Sequence, residues 1–299
     1  MLPQLRSDRL SSDYKGSAGR LRGRRRSRRL GRHIRPLRAQ WSGLYSADCQ
    51  LRVMRATGAI PVVTVAQMRE VDRLMIEEIG VELPQMMENA GRALATHARA
   101  LLGGDARGHR VIVLAGRGGN GGGGLAAARR LAIWGADVSV SLAQRRGDMR
   151  GVPAQQLAAV ERLGVVVWEP ADFVASRLRQ VDLVLDAIIG YSLSGAPRDA
   201  AAQLIWSAND SGVPCLALDL PSGLDGDTGL ASDPTIRAVA TLTLALPKVG
   251  LVEPSARAWV GDLCVADISV PEVVFERIGL HVGPIFARAD IISVPWAQA

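Results

Sequence analysis

The sequence predicts an α/β domain, a three-layer α/β/α sandwich with helices on both faces of a mainly parallel, doubly wound sheet. Short runs such as RVIVLAG, VDLVLD and VPCLALD alternate with helical stretches through the middle of the chain. These runs are apolar at nearly every position, the pattern of parallel strands buried on both faces. The 299 residues are 48% hydrophobic and 22% charged, which excludes disorder throughout and is enough for one large domain.

The first element is a tail. Residues 1–53 hold 14 Lys and Arg against 3 Asp and Glu, a net +11, around LRGRRRSRRLGRHIRPLR. With no period that could bury a face, residues 1–57 are predicted to be a basic disordered tail. The whole chain carries +7, so the other 246 residues, with 22 basic and 26 acidic side chains, carry −4. The folded part therefore has no field to draw nucleic acid. Only Lys15 and Lys248 among the 36 basic residues are lysines, so the arginines of the tail reflect a chain-wide bias. A solvated extension is preferred over an organelle-targeting or nucleic-acid-binding arm, and Met54 stands where a start codon would lie.

The domain is predicted over residues 58–280. TVAQMREVDRLMIEEIG places Met68, Val71, Met75 and Ile79 at helical spacing, with Leu74 widening the stripe and Thr64 as a cap. A second helix, PQMMENAGRALATHARALL, stops at Gly103 and Gly104. RVIVLAG is a strand, followed by a glycine-rich loop and the helix LAAARRLAIWG. DVSVSLA, GVVVWE, VDLVLD, VPCLALD and TLTLAL are further strands, with VPAQQLAAVERLG and RDAAAQLIWSANDSG as helices among them. Residues 281–299, with Pro284 and Pro295, are predicted to be irregular.

The loop GRGGNGGGG, Gly116 to Gly124, contains GxGxxG and lets backbone N–H groups approach phosphate oxygens at a helix N-terminus. Its seven glycines in nine residues cost more chain entropy than a tight turn justifies. A dinucleotide dehydrogenase needs an acid at the end of the following strand, but Asp137 opens that strand. A P-loop needs GK[ST], which is missing. Asp186 closes VDLVLD and Asp219 closes VPCLALD, so both emerge at the sheet edge that carries the glycine loop. Three strand ends thus deliver Asn120, Asp186 and Asp219 with Ser222 to one crevice. Either Asp alone reads equally well as a cap; their joint delivery beside the loop argues for function.

Other candidates lead to blander readings. Asp225 and Asp227, in GLDGDTG, look like turn residues. Ser222 lacks the GxSxG of a nucleophile elbow, and His33, His97, His109 and His281 are too scattered for a triad. Cys49, Cys215 and Cys264 are few, odd in number and far apart, which argues against a zinc site or a disulfide framework and for a cytoplasmic location. No apolar run approaches the roughly 20 residues of a membrane span.

MREVDRLMIEEIGVELPQMMENAGRALA, VIVLAGRGGNGGGGLAAARRLA, VLDAIIGYSLSGAPR, LALDLPSGLDGDTG and LPKVGL follow one another here as in the NAD(P)H-hydrate epimerases. Over residues 62–272 the chain resembles that family, the YjeF N-terminal domain family, which includes the apolipoprotein A-I-binding protein. MMENAGRA and DLPSGLDxDTG are its most specific motifs. The resemblance implies a Rossmann-like sandwich, a homodimer and interconversion of the R and S forms of hydrated NADH and NADPH (NADHX and NADPHX) in cofactor repair. It implies substrate contacts at Gly119, Asn120, Gly121, Gly122 and Gly123, and along Gly190, Tyr191, Ser192, Leu193, Ser194, Gly195 and Ala196. Asp219 would touch substrate too and be the catalytic group. One potassium ion per subunit would be held by Asn120, Asp186 and Ser222, all oxygen-bearing as a hard cation demands. A separate NAD(P)H-hydrate dehydratase would complete the repair.

Inversion at the substrate's C6, which carries a hydroxyl and the ring nitrogen, needs reversible loss of one substituent. Asp219 can move the proton while the cation damps repulsion between Asp186 and Asp219. The chain departs from the family in one place: where the family reads NNGGDG, it has Gly119-Asn-Gly-Gly-Gly-Gly124. That loss of an Asn and an Asp side chain supports an alternative, a weakened or non-catalytic member that binds a nucleotide or a protein. A nicotinamide-dependent oxidoreductase is the third reading.

Overall fold

The computed structural model describes residues 54–55, 60–193 and 195–296. In chain order these form β1 (Met54–Arg55), α1 (Val65–Leu74), α2 (Leu83–Leu101), β2 (Arg110–Ala115), α3 (Gly119–Ile133) and β3 (Asp137–Leu142). There follow α4 (Gly151–Arg162), β4 (Val166–Trp168), β5 (Leu183–Ala187), α5 (Asp199–Ser211), β6 (Cys215–Leu218), β7 (Ala240–Leu244), β8 (Asp262–Ala266) and β9 (Ile291–Ser293), with shorter helical turns between. The strands make one sheet in the order β1-β9-β8-β7-β6-β5-β2-β3-β4, parallel throughout except between β8 and β9. The chain runs outward from β2 to β4, then returns to β5 on the other side of β2. That reversal is the switch point of a doubly wound sheet, where ligands bind beyond the strands' carboxyl ends.

Strand β2 shows why the sandwich has three layers. Val111, Val113 and Ala115 pack in a core that includes Leu94, Leu125 and Leu157, from α2, α3 and α4. Ile112 and Leu114 face the other way, into a core with Leu204 and Ile205 of α5. Successive strand side chains point to opposite faces, so an all-apolar strand requires a helical layer on each.

Helix α1 begins as its sequence predicts: Thr64 accepts a bond from the Gln67 N–H at 3.1 Å, and Gln67 Oε1 accepts from the Thr64 N–H at 2.9 Å. After Leu74 the chain widens into a π-helical turn, Met75–Ile79. The wider turn shifts the phase of the stripe. Met68, Val71, Leu74 and Met75 are buried, whereas Ile79, expected on the same face, is exposed.

Four further differences from the sequence reading have physical causes. Helix α3 starts at Gly119, within the stretch expected to be a loop. Strand β8, DLCVA, escapes notice because four apolar residues are too short a run to show a period. Residues 54–55, assigned to the tail, form β1, and residues 291–293, assigned to an irregular end, form β9. Both are held by pairing rather than by pattern, β1 parallel to β9 and β9 antiparallel to β8. The rest of the predicted tail, apart from these two residues, lies outside the described residues.

Candidate active site

The first turns of α3 run against helix propensity, because glycine costs about 1 kcal/mol per position relative to alanine. Packing forces the choice. A Cβ at Gly124 would fall 2.4 Å from Ala187 Cβ, one at Gly122 2.5 Å from Met87 Sδ, and one at Gly121 1.7 Å from the Gly116 carbonyl oxygen. On the facing helix, a Cβ at Gly91 would lie 2.5 Å from Ala126 Cβ. Glycine thus lets α3 press against α2, β2 and β5 at once, which sets its N-terminal N–H groups at the mouth of the crevice between β2 and β5.

Asp219 follows β6 with φ +67°, a left-handed backbone that non-glycine residues seldom adopt. Its N–H is tied to the Leu242 carbonyl at 2.8 Å, which fixes the turn. Strained backbone of this kind collects at functional sites. The carboxylate is 3% exposed and meets Lys248, which is fully buried; Lys248 Nζ donates to Asp219 Oδ1 at 2.5 Å. The ammonium also donates to the Leu244 carbonyl at 3.0 Å and to Thr243 Oγ1 at 3.3 Å, so each of its protons has an acceptor. The Tyr191 N–H donates to the other oxygen, Asp219 Oδ2, at 3.2 Å.

Beside this pair lies a second buried acid. Asp186 accepts from the Ser222 hydroxyl at 2.6 Å, the Ser222 N–H at 2.7 Å and the Ile188 N–H at 3.2 Å. Ser222 Oγ in turn accepts from the Ile189 N–H at 2.9 Å, and the Ile189 carbonyl lies 3.2 Å from it. Burial pushes the Asp186 carboxyl up to about 6, against the lowering by Ser222 and Ile188. Asn120 stands in the first turn of α3. A Cβ on Gly190 would fall 3.0 Å from Asp219 Oδ2 and 3.3 Å from Asn120 Oδ1, so Gly190 lets the loop pass between these side chains. Asn120 Nδ2 is buried with no hydrogen-bond partner among the described residues. The Asp186 carboxylate, with no ion-pair partner among the described residues, and the Ser222 hydroxyl are oxygens of the kind a hard cation takes; Asn120 could add only its Oδ1, since the unpartnered Nδ2 is a hydrogen-bond donor.

The crevice opens into a cavity of about 340 Å³, a size typical of small-molecule sites. Met68, Met86, Met87 and Leu218 give it an apolar wall, and Asp72, Asn120, Tyr191, Asp219 and Lys248 give it polar groups. Tyr191 donates its phenol O–H to Asp72 Oδ2. Burial raises the Asp72 carboxyl above its ordinary value, opposed by that bond and by the Lys248 charge.

Of the predicted substrate contacts, Gly119, Asn120, Gly123, Gly190, Tyr191, Ser192 and Asp219 border this cavity. Gly121 and Gly122 are buried packing positions behind it, and Leu193, Gly195 and Ala196 lie outside its lining. Ser194 lies outside the described residues. Asp186 and Ser222 hydrogen-bond to each other but are not part of the cavity lining, which takes only Asn120 and Asp219 of the four side chains expected in one crevice. Asp225 is a turn residue, accepting from the Asp227 and Thr228 N–H groups, while Asp227 accepts from the Val65 N–H at the start of α1. His97 is buried in α2, and Cys215 and Cys264 are buried free thiols. Sequence reasoning missed Lys248 and Asp72. A lysine that is one of only two in an arginine-rich chain was the available signal for the first; Asp72 resembles any polar position of an amphipathic helix.

The altered positions differ from each other. A Cβ at Gly119 meets only Met87 Cε, at 3.8 Å, whereas one at Gly123 would stand 3.0 Å from Leu218 Cδ2. An Asn would fit the first freely; an Asp at the second would need Leu218 to yield.

A doubly wound sheet with an acid–lysine pair at its switch point, facing a glycine-built helix N-terminus, defines a small-molecule enzyme site of the Rossmann-like class. Residues 83–250 match the family model described as YjeF-related protein N-terminus. The chain is 46% identical over 222 residues to an NAD(P)H-hydrate epimerase of Dehalogenimonas lykanthroporepellens, covering 74% of this chain and 87% of that one. It is 37% identical over 219 residues to a bifunctional NAD(P)H-hydrate repair enzyme of Moorella thermoacetica, covering 71% of this chain and 41% of the relative. The crystal structure of yeast YNL200c shares the fold, with a TM-score of 0.69 at 24% identity over 79% of this chain and all of that one. The chain belongs to the YjeF N-terminal domain family, that of the NAD(P)H-hydrate epimerases.

Proposed function

We propose that this protein is an NAD(P)H-hydrate epimerase, interconverting the R and S forms of hydrated NADH and NADPH. The observation that carries the reading is Asp219, strained at φ +67°, paired with buried Lys248 and facing a cavity beside the N-terminus of α3. Asp219 exchanges a proton with the C6 hydroxyl, and Lys248 holds the carboxylate in place and balances its charge. The amide end of α3 receives the anionic part of the cofactor. The apolar wall of Met68, Met86, Met87 and Leu218 receives the ring and keeps water from it.

Asn120, Asp186 and Ser222 are the groups that would hold a potassium ion, which supplies positive charge against Asp186 so that the acid stays ionised without a basic side chain. The protein is further proposed to act as a cytoplasmic homodimer, with a separate dehydratase acting on the same hydrates. Separated R and S hydrates, incubated with the protein and resolved by chromatography, test the function. Each epimer is expected to approach the same mixture faster than it does alone. Unchanged ratios with tight nucleotide binding would favour a non-catalytic binding protein, which Gly119 and Gly123 make the second reading.

A further inference from the structure

Inversion at C6 sets a geometric problem. The hydroxyl projects from one face of the ring in the R form and from the opposite face in the S form. A carboxylate fixed as firmly as Asp219, held by Lys248, Tyr191 and its own strained backbone, reaches only one of these positions. We propose, resting on the epimerase reading, that Asp72 and Tyr191 form a second proton-handling pair that serves the C6 oxygen on the ring face Asp219 and Lys248 cannot reach.

The placement carries this. Asp72 comes from α1 and Asp219 from the sheet edge, yet both border the same cavity. Tyr191 spans them, its N–H on Asp219 Oδ2 and its phenol O–H on Asp72 Oδ2, so the two acids stand about a tyrosine side chain apart. Lys248 Nζ lies 5.9 Å from the centre of the Tyr191 ring, which keeps both pairs within one charged cluster. A tie between α1 and the loop would need neither residue at the cavity; here Asp72 and Tyr191 both line it.

The chemistry balances. On opening, the pair beside the hydroxyl takes the O–H proton and that bond's electrons form the C6 carbonyl. The C6–N1 electrons return to N1 and, through the C2–C3 double bond, to the carboxamide. Rotation about C5–C6 carries the carbonyl oxygen to the other face. N1 then attacks C6, the carbonyl π electrons move to oxygen, and that oxygen takes a proton from the pair now beside it. One proton has passed between the pairs, and solvent resets it when product leaves. The reverse reaction exchanges their roles.

The test uses the full chain and the variants Asp72→Asn, Tyr191→Phe and their combination, with separated R and S hydrates over a range of concentrations. For each single variant kcat is expected to fall by about 10²-fold or more, the usual scale for a proton-transfer group, with KM near the parent value. The double variant should be no slower than the slower single one, because the two side chains act as a unit. Tyr191→Phe keeps the ring, so it decides alone if Asp72→Asn fails to fold. An active parent with unchanged kcat in a folded variant, or with a rise confined to KM, overturns the assignment. A parent that leaves both epimers unchanged overturns the epimerase reading itself, and the pair's role with it.

Discussion

Asp219 and Lys248 share one buried ion pair, so neither can be changed alone without leaving a charge or a polar group stranded. Breaking such a pair costs about 3–5 kcal/mol. Asp219→Asn should therefore lower epimerisation by about 10²–10⁴-fold and also lower the melting temperature. Adding Lys248→Met should recover part of the melting temperature and none of the rate; thermal melts and the chromatographic assay on the two variants check both. Asp186 gives a prediction in pH. Burial raises its carboxyl from 3.8 to about 6 in the folded chain, so the proton favours the fold, and stability falls as pH rises toward and through about 6. The cost at neutral pH is about 3 kcal/mol, and a cation beside the carboxylate would offset it. Potassium should thus raise the melting temperature relative to choline more at pH 7.5 than at pH 4.5, and Asp186→Asn should remove the difference. Equal melts in both salts at pH 7.5 would leave the donor set without its ion. These acids were legible in the sequence because a parallel sheet delivers its strand ends to one edge. Lys248 was not, because it arrives from a turn after β7, and only packing shows that it reaches Asp219.

Helix α3 shows how packing overrides propensity at the scale of an element. Alanine in place of a glycine would favour the isolated helix by about 1 kcal/mol. At Gly124 the new methyl would stand 2.4 Å from Ala187 Cβ and 3.2 Å from Val113 Cγ1, both on strands that cannot turn aside. Overpacking of this kind costs about 1–3 kcal/mol, so the clash outweighs the propensity gain. Gly124→Ala is expected to lower stability in denaturant titration and to weaken substrate binding by moving the helix N-terminus off the sheet. A more stable protein with unchanged KM would show that α3 has room to spare. The same contest explains which elements the sequence made legible. β2 through β6 announce themselves as short strand-like runs between helices, and β7 as one more such run, while only the first turns of α3 are hidden, by their glycines. The π-turn after Leu74 is hidden too, because MIEEI continues an ordinary helical stripe and the change of phase shows only in the exposure of Ile79.

At the scale of the molecule the two ends of the chain should behave oppositely. Residues 1–53 carry +11 and little apolar surface, and the domain that follows carries −4. From that composition the segment is expected to add little to the stability of the domain. A chain beginning at Met54 keeps β1 and should retain both the melting temperature and the epimerisation rate. The other end looks no more structured in sequence, with two prolines and no period, yet Ile291 and Ile292 are each 4% exposed where β9 covers the edge of β8. Val294 donates its N–H to the Leu263 carbonyl at 2.9 Å, and Trp296 Nε1 donates to the Gly261 carbonyl at 3.0 Å. Glu272 accepts the N–H groups of Val282 and Gly283, which ties the start of this segment to the short helix Glu272–Arg277. Burying two isoleucines contributes about 3–6 kcal/mol, a large share of the 5–15 kcal/mol that typically separates folded from unfolded domains. A chain ending at Leu280 should therefore melt far lower, or aggregate through the bared edge of β8. Melting curves of the two shortened chains decide it: equal loss at both ends would mean that the basic segment docks on the domain, and no loss at either that β9 is an ornament of the sheet.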